Sequence, residues 1–418
     1  MQAGKMPAQA LTIVADDLTG AMDSSGYFAE KGFDTLVLLG PDYPLEGDVV
    51  VITTNSRADG PGLAREKVRQ ASRRLVGRPV YKKIDSTLRG NIGVELEATM
   101  EELDCEKAVV APAFPAVGRT TVDGVLLVDG TSVAETQFAH DPVSPVKESH
   151  IPTLLEKTTG HRAGCVALRC VEAGPEALYR HISAMREAMV VCDATEQLHL
   201  TAIAQAAALA QGRWLLCGSG GLARELQLLL PRGARPGRRA PSNPTHGPAL
   251  VVVGTRNQVA AEQLDRARGE TGLPILDLDV ERLKDGNGTA AEVSRIAAEA
   301  SRFLGRGRSL ALTSTFSRYV PALKRSIPIA LAEAVASALT ASQPAGLFLS
   351  GGDIALEVCR RLSVSSIRVH GEVEPGVPAG EVVGGDAAGI RLVTKAGGFG
   401  TGAALIKSIS YLEKGCLT

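Results

Sequence analysis

Pro79 to Leu103 reads PVYKKIDSTLRGNIGVELEATMEEL. It starts as a short apolar strand, PVYKKI. It ends as a helix, IGVELEATMEEL, in which Ile92, Leu96, Met100 and Leu103 recur at helical spacing. Between them lies a dense polar turn, Asp85 to Asn91, holding a carboxylate, hydroxyls, an arginine, a glycine and an amide. Strand, turn and helix in one short stretch form the repeating unit of an α/β fold.

The same alternation runs outward. LTIVA (Leu11–Ala15), DTLVLL (Asp34–Leu39), DVVVIT (Asp48–Thr53) and KAVVAPA (Lys107–Ala113) read as strands, and GLAREKVRQASRRL (Gly62–Leu75) as a helix. Further on, ALVVVG (Ala249–Gly254), SLALTS (Ser309–Ser314) and AGLFLSGG (Ala345–Gly352) read as buried strands. QVAAEQLDRAR (Gln258–Arg268), AAEVSRIAAEASRFL (Ala290–Leu304) and DIALEVCRRL (Asp353–Leu362) read as helices. No internal repeat is visible. One stretch breaks the pattern: Pro231–Pro248 holds five prolines, four arginines and no aliphatic residue larger than alanine, and is expected to be a linker. The expected architecture is α/β with two domains, each a largely parallel sheet flanked by helices, with the active site in the interdomain cleft. Residues 1–230 form the first domain, 231–248 the linker and 249–418 the second domain.

Bulk composition narrows the function. Of 418 residues, 44% are hydrophobic and 22% charged, as in an ordinary globular protein. The formal net charge of −1 gives no support for nucleic-acid or membrane-surface binding. Seven scattered cysteines without C-x-x-C suit a reducing compartment rather than a disulfide framework or zinc site, and the histidines show no metal-binding spacing. The first ten residues lack a signal peptide's apolar core, and no apolar run is long enough to span a membrane, so the cytoplasm is expected. Room is left for a homo-oligomer.

In open α/β sheets ligands bind beyond the carboxyl ends of the strands. In the first domain those ends carry Asp16 and Asp17; Asn55, Ser56 and Arg57; Asp85, Ser86, Thr87 and Arg89; and Gly118 with Arg119. Acids, hydroxyls, amides and arginines suit a small polyhydroxylated anion, since arginine offers a planar fork to a carboxylate. Taken singly, each has a structural reading: Asn91 is a good helix cap and Gly90 a positive-φ turn. In the second domain the ends are glycine turns: Gly254-Thr255, Ser350-Gly351-Gly352-Asp353, and Lys395 followed by Gly397, Gly398, Gly400 and Gly402. Bare backbone N–H groups at helix starts bind anions, and three such turns suggest a nucleotide polyphosphate. The P-loop and protein-kinase signatures are absent, as is a dinucleotide fingerprint after the first strand. CGSGGLA (Cys217–Ala223) is a further strand–glycine–helix turn, without the spacing of a hydrolase elbow.

An acid-binding domain joined to a phosphate-binding domain suggests phosphoryl transfer from ATP to a sugar hydroxyl. IVADDLTGAMDSSG, KKIDSTLRGN, APAFPAVGRTTVDG, SGGD and PGVPAGEVVGGDAAGIRLVTKAGGFG resemble the four-carbon acid sugar kinase family, from about Thr12 to about Ser410. KKIDSTLRGN is similar to the D-threonate and D-erythronate kinases rather than the 3-oxo-tetronate kinases. The resemblance implies ATP-dependent phosphorylation of a terminal C4 hydroxyl. It implies acid-sugar positions at Asp16, Asp17, Arg57, Lys83, Asp85, Ser86 and Arg89. It implies nucleotide positions at Thr255, where the family often has serine, at Ser350, Gly351, Gly352 and Asp353, and at Gly397, Gly398 and Gly400. The substrate carboxylate is expected against Arg57 or Arg89. Asp17 or Asp16 is expected as catalytic base, with Asp386 as rival. Lys395 reads either as the partner of the transferring phosphoryl group or as a solvated lysine. Lys82 reads as an alternate-face strand residue. Mg²⁺ is expected with ATP, without assigned protein ligands. D-threonate is the first choice of substrate, D-erythronate and 3-oxo-tetronate the alternatives. A non-catalytic sensor of nucleotide and sugar acid, and an NAD(P)-dependent oxidoreductase, are the readings from other classes.

Overall fold

The computed structural model describes residues 11–40, 42–141, 143–227, 230, 246–317 and 320–417. Residues 231–245 of the expected linker lie outside the described residues. The chain forms two compact units. One comprises residues 1–33 and 38–236, the other 34–37 and 237–418.

In chain order the first part contains β1 (Leu11–Ala15), α1 (Leu18–Glu30), β2 (Thr35–Leu38), β3 (Val49–Thr53), α2 (Pro61–Arg73), β4 (Val80–Lys83), α3 (Ile92–Leu103) and β5 (Lys107–Ala111). There follow β6 (Arg119–Val122), β7 (Val125–Val128), β8 (Thr131–Ser132), α4 (Ile151–Thr159), β9 (Ala163–Val166), α5 (Leu168–Glu172) and α6 (Pro175–Ala184). Then come β10 (Met189–Cys192), α7 (Gln197–Leu209), β11 (Trp214–Gly218) and α8 (Gly220–Leu226). The sheet of the first unit runs β3-β1-β4-β11-β5-β10-β9, parallel throughout. Its strands are nearly continuous apolar runs, as a sheet covered on both faces requires. On one face Leu96, Val110, Val191, Leu215 and Ile151 share a core. A small antiparallel sheet, β6-β7-β8, is added to this unit and was not legible in the sequence.

The second part contains β12 (Ala249–Val253), α9 (Gln258–Thr271), β13 (Ile275–Asp277), α10 (Gly286–Gly305), β14 (Leu310–Thr313), α11 (Ser326–Ala341) and β15 (Gly346–Ser350). It continues with α12 (Gly352–Arg361), β16 (Ser366–Glu374), β17 (Val377–Val383), β18 (Arg391–Lys395) and α13 (Ala404–Lys414). The sheet order is β13-β14-β12-β15-β18-β17-β16-β2. The strands from β13 to β18 are parallel, and β17 runs antiparallel to both β18 and β16. β2, expected with the first domain, groups with this unit over Asp34–Val37. α10 begins four residues before the expected helix because Asp285 caps it, accepting from Gly288 N.

Both sheets contain a reversal of strand order. In the first unit the chain goes from β1 to β3 on one side and then to β4 on the other. In the second it goes from β12 out to β13 and β14, then returns past β12 to β15. Such reversals open a crevice at the carboxyl ends of the two strands concerned. Those ends are Asp16-Asp17 and Asp85 in the first unit, and Thr255 and Ser350-Gly351 in the second.

Candidate active site

At the first unit's reversal, acids and arginines interlock. Arg57 Nε and Nη2 donate to Asp16 Oδ2 and Oδ1 at 2.7 and 2.9 Å. Its Nη1 and Nη2 donate to Asp17 Oδ2 and Oδ1 at 2.8 and 2.7 Å. Nη1 also stands 3.5 Å from Asp85 Oδ1. Arg89 Nε and Nη2 donate to Asp85 Oδ2 and Oδ1 at 2.9 and 3.0 Å, its Nη1 reaches Asp141 Oδ2 at 3.4 Å, and its guanidinium lies over the Phe138 ring. Asp85 also accepts from Thr87 N and Thr87 Oγ1. The backbone makes this possible: buried Leu88 adopts φ 62 and Gly90 φ 95, which turns Arg89 back onto Asp85. A left-handed leucine costs about 1–2 kcal/mol, so the loop is held against its own preference.

The charges are set by these contacts. Burial pushes Asp85 up, but Arg89 and Arg57 outweigh it and hold the carboxyl well below its ordinary value. Asp16 is likewise held below the ordinary value, with Arg57, Lys82 and Lys83 together overcoming burial.

Lys82 and Lys83 pair in register with Val14 and Ala15 of β1. Lys82 is wholly buried and meets Glu95 Oε2 at 2.7 Å, a buried ion pair behind Asp16. Lys83 Nζ donates to Ile84 O at 3.1 Å and is buried on the site side. An ideal Cβ on Gly20 would lie 2.5 Å from Asp17 Oδ1 and 2.8 Å from Lys83 Nζ, so these groups converge above that glycine. Ser86 is half-buried and its hydroxyl has no hydrogen-bond partner among the described residues. Asn91 does not cap α3 with its side chain, contrary to expectation. Its amide instead donates to Ser56 O and Asp59 O, pinning the loop that carries Arg57. A cavity of about 330 Å³ is lined by Arg57, Gly90, Asn91, Ser144 and Lys157 among others, and neither Asp16 nor Asp85 lines it.

In the second unit, Gly254 N donates to Ser350 O at 3.2 Å and Gly351 N to Lys395 O at 3.0 Å, which locks three strand ends together. A Cβ on Gly397 would lie 2.4 Å from Thr255 Oγ1, and one on Gly398 would meet the Asn257 amide at 3.2 Å. Gly351 has φ 107 and sits against Thr255. Ser350 Oγ is buried without a partner at the N-terminal start of α12. Gly352 and Asp353 open that helix, with backbone N–H groups facing the same turn. These features fit a polyphosphate group: close backbone approach, helix-start donors and an unsatisfied hydroxyl.

Lys395 is not a solvated lysine. It is 1% exposed and donates to Ala396 O, Gly397 O and Phe399 O at 2.9–3.0 Å. Burial lowers it to about 8, with Glu374 opposing. The loop it holds is gripped from two more sides. Gln263 Nε2 donates to Phe399 O, Gly400 O and Thr401 O, and Glu374 accepts from Thr401 N and Thr401 Oγ1. Sequence reasoning missed both. Gln263 was findable as a polar residue on the buried stripe of α9, between Ala260 and Leu264. Asp386 is placed elsewhere. Its N–H bonds Leu362 O past the C-terminus of α12, at the amino end of β18, whereas the glycine turns lie at the other end of that helix. Among the described residues no group of three or more His, Cys, Asp or Glu side chains could hold a metal ion. Nor is any helix there long and apolar enough to cross a membrane.

Residues 11–226 match a family described as a sugar-binding N-terminal domain, and residues 250–405 one described as a nucleotide-binding C-terminal domain. A D-threonate kinase of Bordetella bronchiseptica is 37% identical over 96% of this chain and 97% of its own length. A D-erythronate kinase of Heliobacterium modesticaldum is 31% identical over 96% of this chain and 97% of its own. The crystal structure of Haemophilus influenzae protein HI1011 matches with a TM-score of 0.71 at 23% identity, covering 96% of this chain and 98% of that one; this shows the fold alone. With a sugar-binding and a nucleotide-binding domain in the expected order, and full-length relatives above 30% identity, the chain belongs to the four-carbon acid sugar kinase family.

Proposed function

We propose that this chain is an ATP-dependent kinase that phosphorylates the 4-hydroxyl of a four-carbon sugar acid, with D-threonate first and D-erythronate or a 3-oxo-tetronate as alternatives. The carrying observation is the contrast between the two strand-order reversals. One is lined by paired carboxylates and guanidinium groups, the other by bare glycine backbone with an unsatisfied serine. The first suits a hydroxylated anion and the second a polyphosphate.

The donor inventories of the two arginines differ, which favours Arg89 for the carboxylate. Every N–H of Arg57 is directed at Asp16, Asp17 or Asp85. Arg89 keeps one N–H on each of Nη1 and Nη2 beyond its bonds to Asp85 and Asp141. Arg89 is therefore the fork for the substrate carboxylate, and Arg57 orients Asp16 and Asp17. Those aspartates, with Asp85, Ser86 and Lys83, bind the hydroxyls. Thr255, Ser350, Gly351, Gly352, Gly397, Gly398 and Gly400 bind the nucleotide, and Lys395 shapes their loop.

Phosphoryl transfer is mostly positioning and neutralisation of charge. Mg²⁺ would supply that neutralisation, held chiefly by the phosphates and water, as its reluctance to dehydrate favours. Asp353, in the first turn of α12, is the carboxylate that would meet its hydration shell. All seven cysteines are free, which agrees with a cytoplasmic setting where ATP is supplied.

The test is ADP release with D-threonate, L-threonate, D-erythronate, L-erythronate and a 3-oxo-tetronate. The highest kcat/KM is expected with D-threonate. Binding of acid and nucleotide without ADP release would identify a sensor instead.

A further inference from the structure

The junction of β11 and α8, Cys217-Gly218-Ser219-Gly220-Gly221, is the glycine-rich strand end that nucleotide binding does not explain. Two of its glycines serve packing. A Cβ would lie 2.4 Å from Ala111 O at Gly218 and 2.5 Å from Ala113 O at Gly221, so α8 rests directly on the backbone after β5. Ser219 ties the turn down: its hydroxyl donates to Ala113 O at 2.9 Å, and its carbonyl accepts from the Tyr81 hydroxyl at 2.6 Å. Gly220 has another neighbour. A Cβ there would lie 2.7 Å from Asp23 Oδ2 and 3.0 Å from the Phe114 ring. The missing side chain makes room for a carboxylate.

Asp23 lies on α1, downstream of the N-cap Asp17, at the carboxyl ends of β4 and β11, where Lys83 pairs in register with Gly218. It differs from the other acids of this crevice. Asp16, Asp17 and Asp85 are clamped by guanidinium groups, whereas Asp23 makes no hydrogen bond or ion pair among the described residues, and its Oδ1 is buried. A half-buried carboxylate with one oxygen buried and no partner is costly and calls for a role. A base must also hold a proton with useful strength near neutrality, which ill suits Asp16 and Asp85, both held below the ordinary carboxylate value with arginine beside them.

We propose that Asp23 is the proton acceptor for the attacking hydroxyl of the sugar acid. Asp23 takes the hydroxyl proton as the hydroxyl oxygen bonds to the γ-phosphorus of ATP. The bond from that phosphorus to the β,γ-bridging oxygen breaks, its electron pair leaves with ADP, and the proton on Asp23 then passes to water. This assignment rests on the kinase reading above and places the base at neither Asp16 nor Asp17. The surroundings agree. Burial raises Asp23 to about 6, with Lys83 opposing and Asp17 adding. The remaining charged groups nearby are engaged elsewhere: Arg57 with its aspartates, Arg224 of α8 over the Tyr27 ring, and Glu225 of α8 with Gln197 and Thr201. At the end of β3, Thr53 and Thr54 donate their hydroxyls to Asn55 Oδ1 and Ala15 O.

The experiment measures kcat and KM for wild type and Asp23→Asn across about pH 5 to about pH 9, using the best acid of the panel, with the acid's Kd by calorimetry. The variant is expected to lose about a hundredfold or more in kcat while the Kd stays within about threefold, and the wild-type acid limb near pH 6 disappears in it. A variant that keeps kcat within about threefold, or one whose loss lies wholly in Kd, overturns the assignment. If Asp23→Asn does not fold, the wild-type profile decides, since a kcat flat from about pH 5 to about pH 8 excludes such a base. Wild type inactive with every acid defeats the kinase reading and this step with it. Active wild type with an unaffected variant defeats this step alone.

Discussion

At the scale of single residues, the two arginines that look equivalent in sequence are not equivalent in donors. Arg89→Lys replaces a planar fork with a point charge. It should raise KM for the acid about tenfold to a hundredfold, with kcat much less affected. An unchanged KM would remove Arg89 from the carboxylate. Arg57→Lys should instead cost stability of about 3–5 kcal/mol, because it leaves buried carboxylates unpaired, and thermal melting reads that directly. Asp23 gives a pH-dependent counterpart. Its folded value, about 6, lies above the unfolded value of about 3.9, so the stability it contributes is full below the latter and lost as pH rises through the former. Asp23→Asn should therefore leave stability unchanged near pH 4 and raise it near pH 8 by at most about 2–3 kcal/mol, which thermal melting at the two pH values reads. A variant less stable at pH 8 would show that the carboxylate is paired. The sequence displayed both arginines at strand ends, but it did not single out Asp23, which lies within α1. It could not show which donors are engaged, because Arg57 and its aspartates come from different strands. Asn91 misled for the same reason: its partners, Ser56 and Asp59, are far away in the chain.

At the scale of elements, the strands that carry the site were legible because parallel strands covered on both faces are continuous apolar runs. The hairpin β16–β17 was not read, although Pro375-Gly376 between them is a turn signal. Its strands mix charged residues with valines and contain Pro378, which demotes a run to an edge or bulge, and the register is indeed irregular there. The omission mattered for the site, since Glu374 at the end of β16 holds the glycine loop. That loop is a device of three clamps, Lys395, Gln263 and Glu374, none of which needs to touch a ligand. Lys395→Met keeps the apolar stem but removes three bonds to loop carbonyls, each worth about 1 kcal/mol net. KM for ATP should rise about tenfold or more while KM for the acid stays the same. Equal effects on both constants would mean that Lys395 acts on more than its loop.

At the scale of the whole chain, composition marks one break, the Pro/Arg-rich stretch after Leu230, and suggests that the second unit could be cut out there. The compact units differ from that expectation in one respect: Asp34–Val37 groups with the second. DTLVLL looks like any buried strand, and nothing within it names its neighbours; strand membership is decided by long-range pairing that local pattern does not encode. Here β2 lies beside β16, and Asp34 pairs with Arg368 at 3.1 Å. A fragment of residues 246–418 would retain the glycine turns, Gln263, Glu374 and Lys395 but lose the strand that covers β16. The N–H and C=O groups along β16 would then form an open edge beside the buried side chains of Ile367 and Val369, a template for pairing with a second copy. The fragment should therefore self-associate in size-exclusion chromatography and melt below the full chain, and a peptide of residues 33–39 added in excess should shift it toward monomer. A fragment that is monomeric and melts cooperatively without the peptide would show that β16 tolerates an open edge and that the second unit is complete without Asp34–Val37.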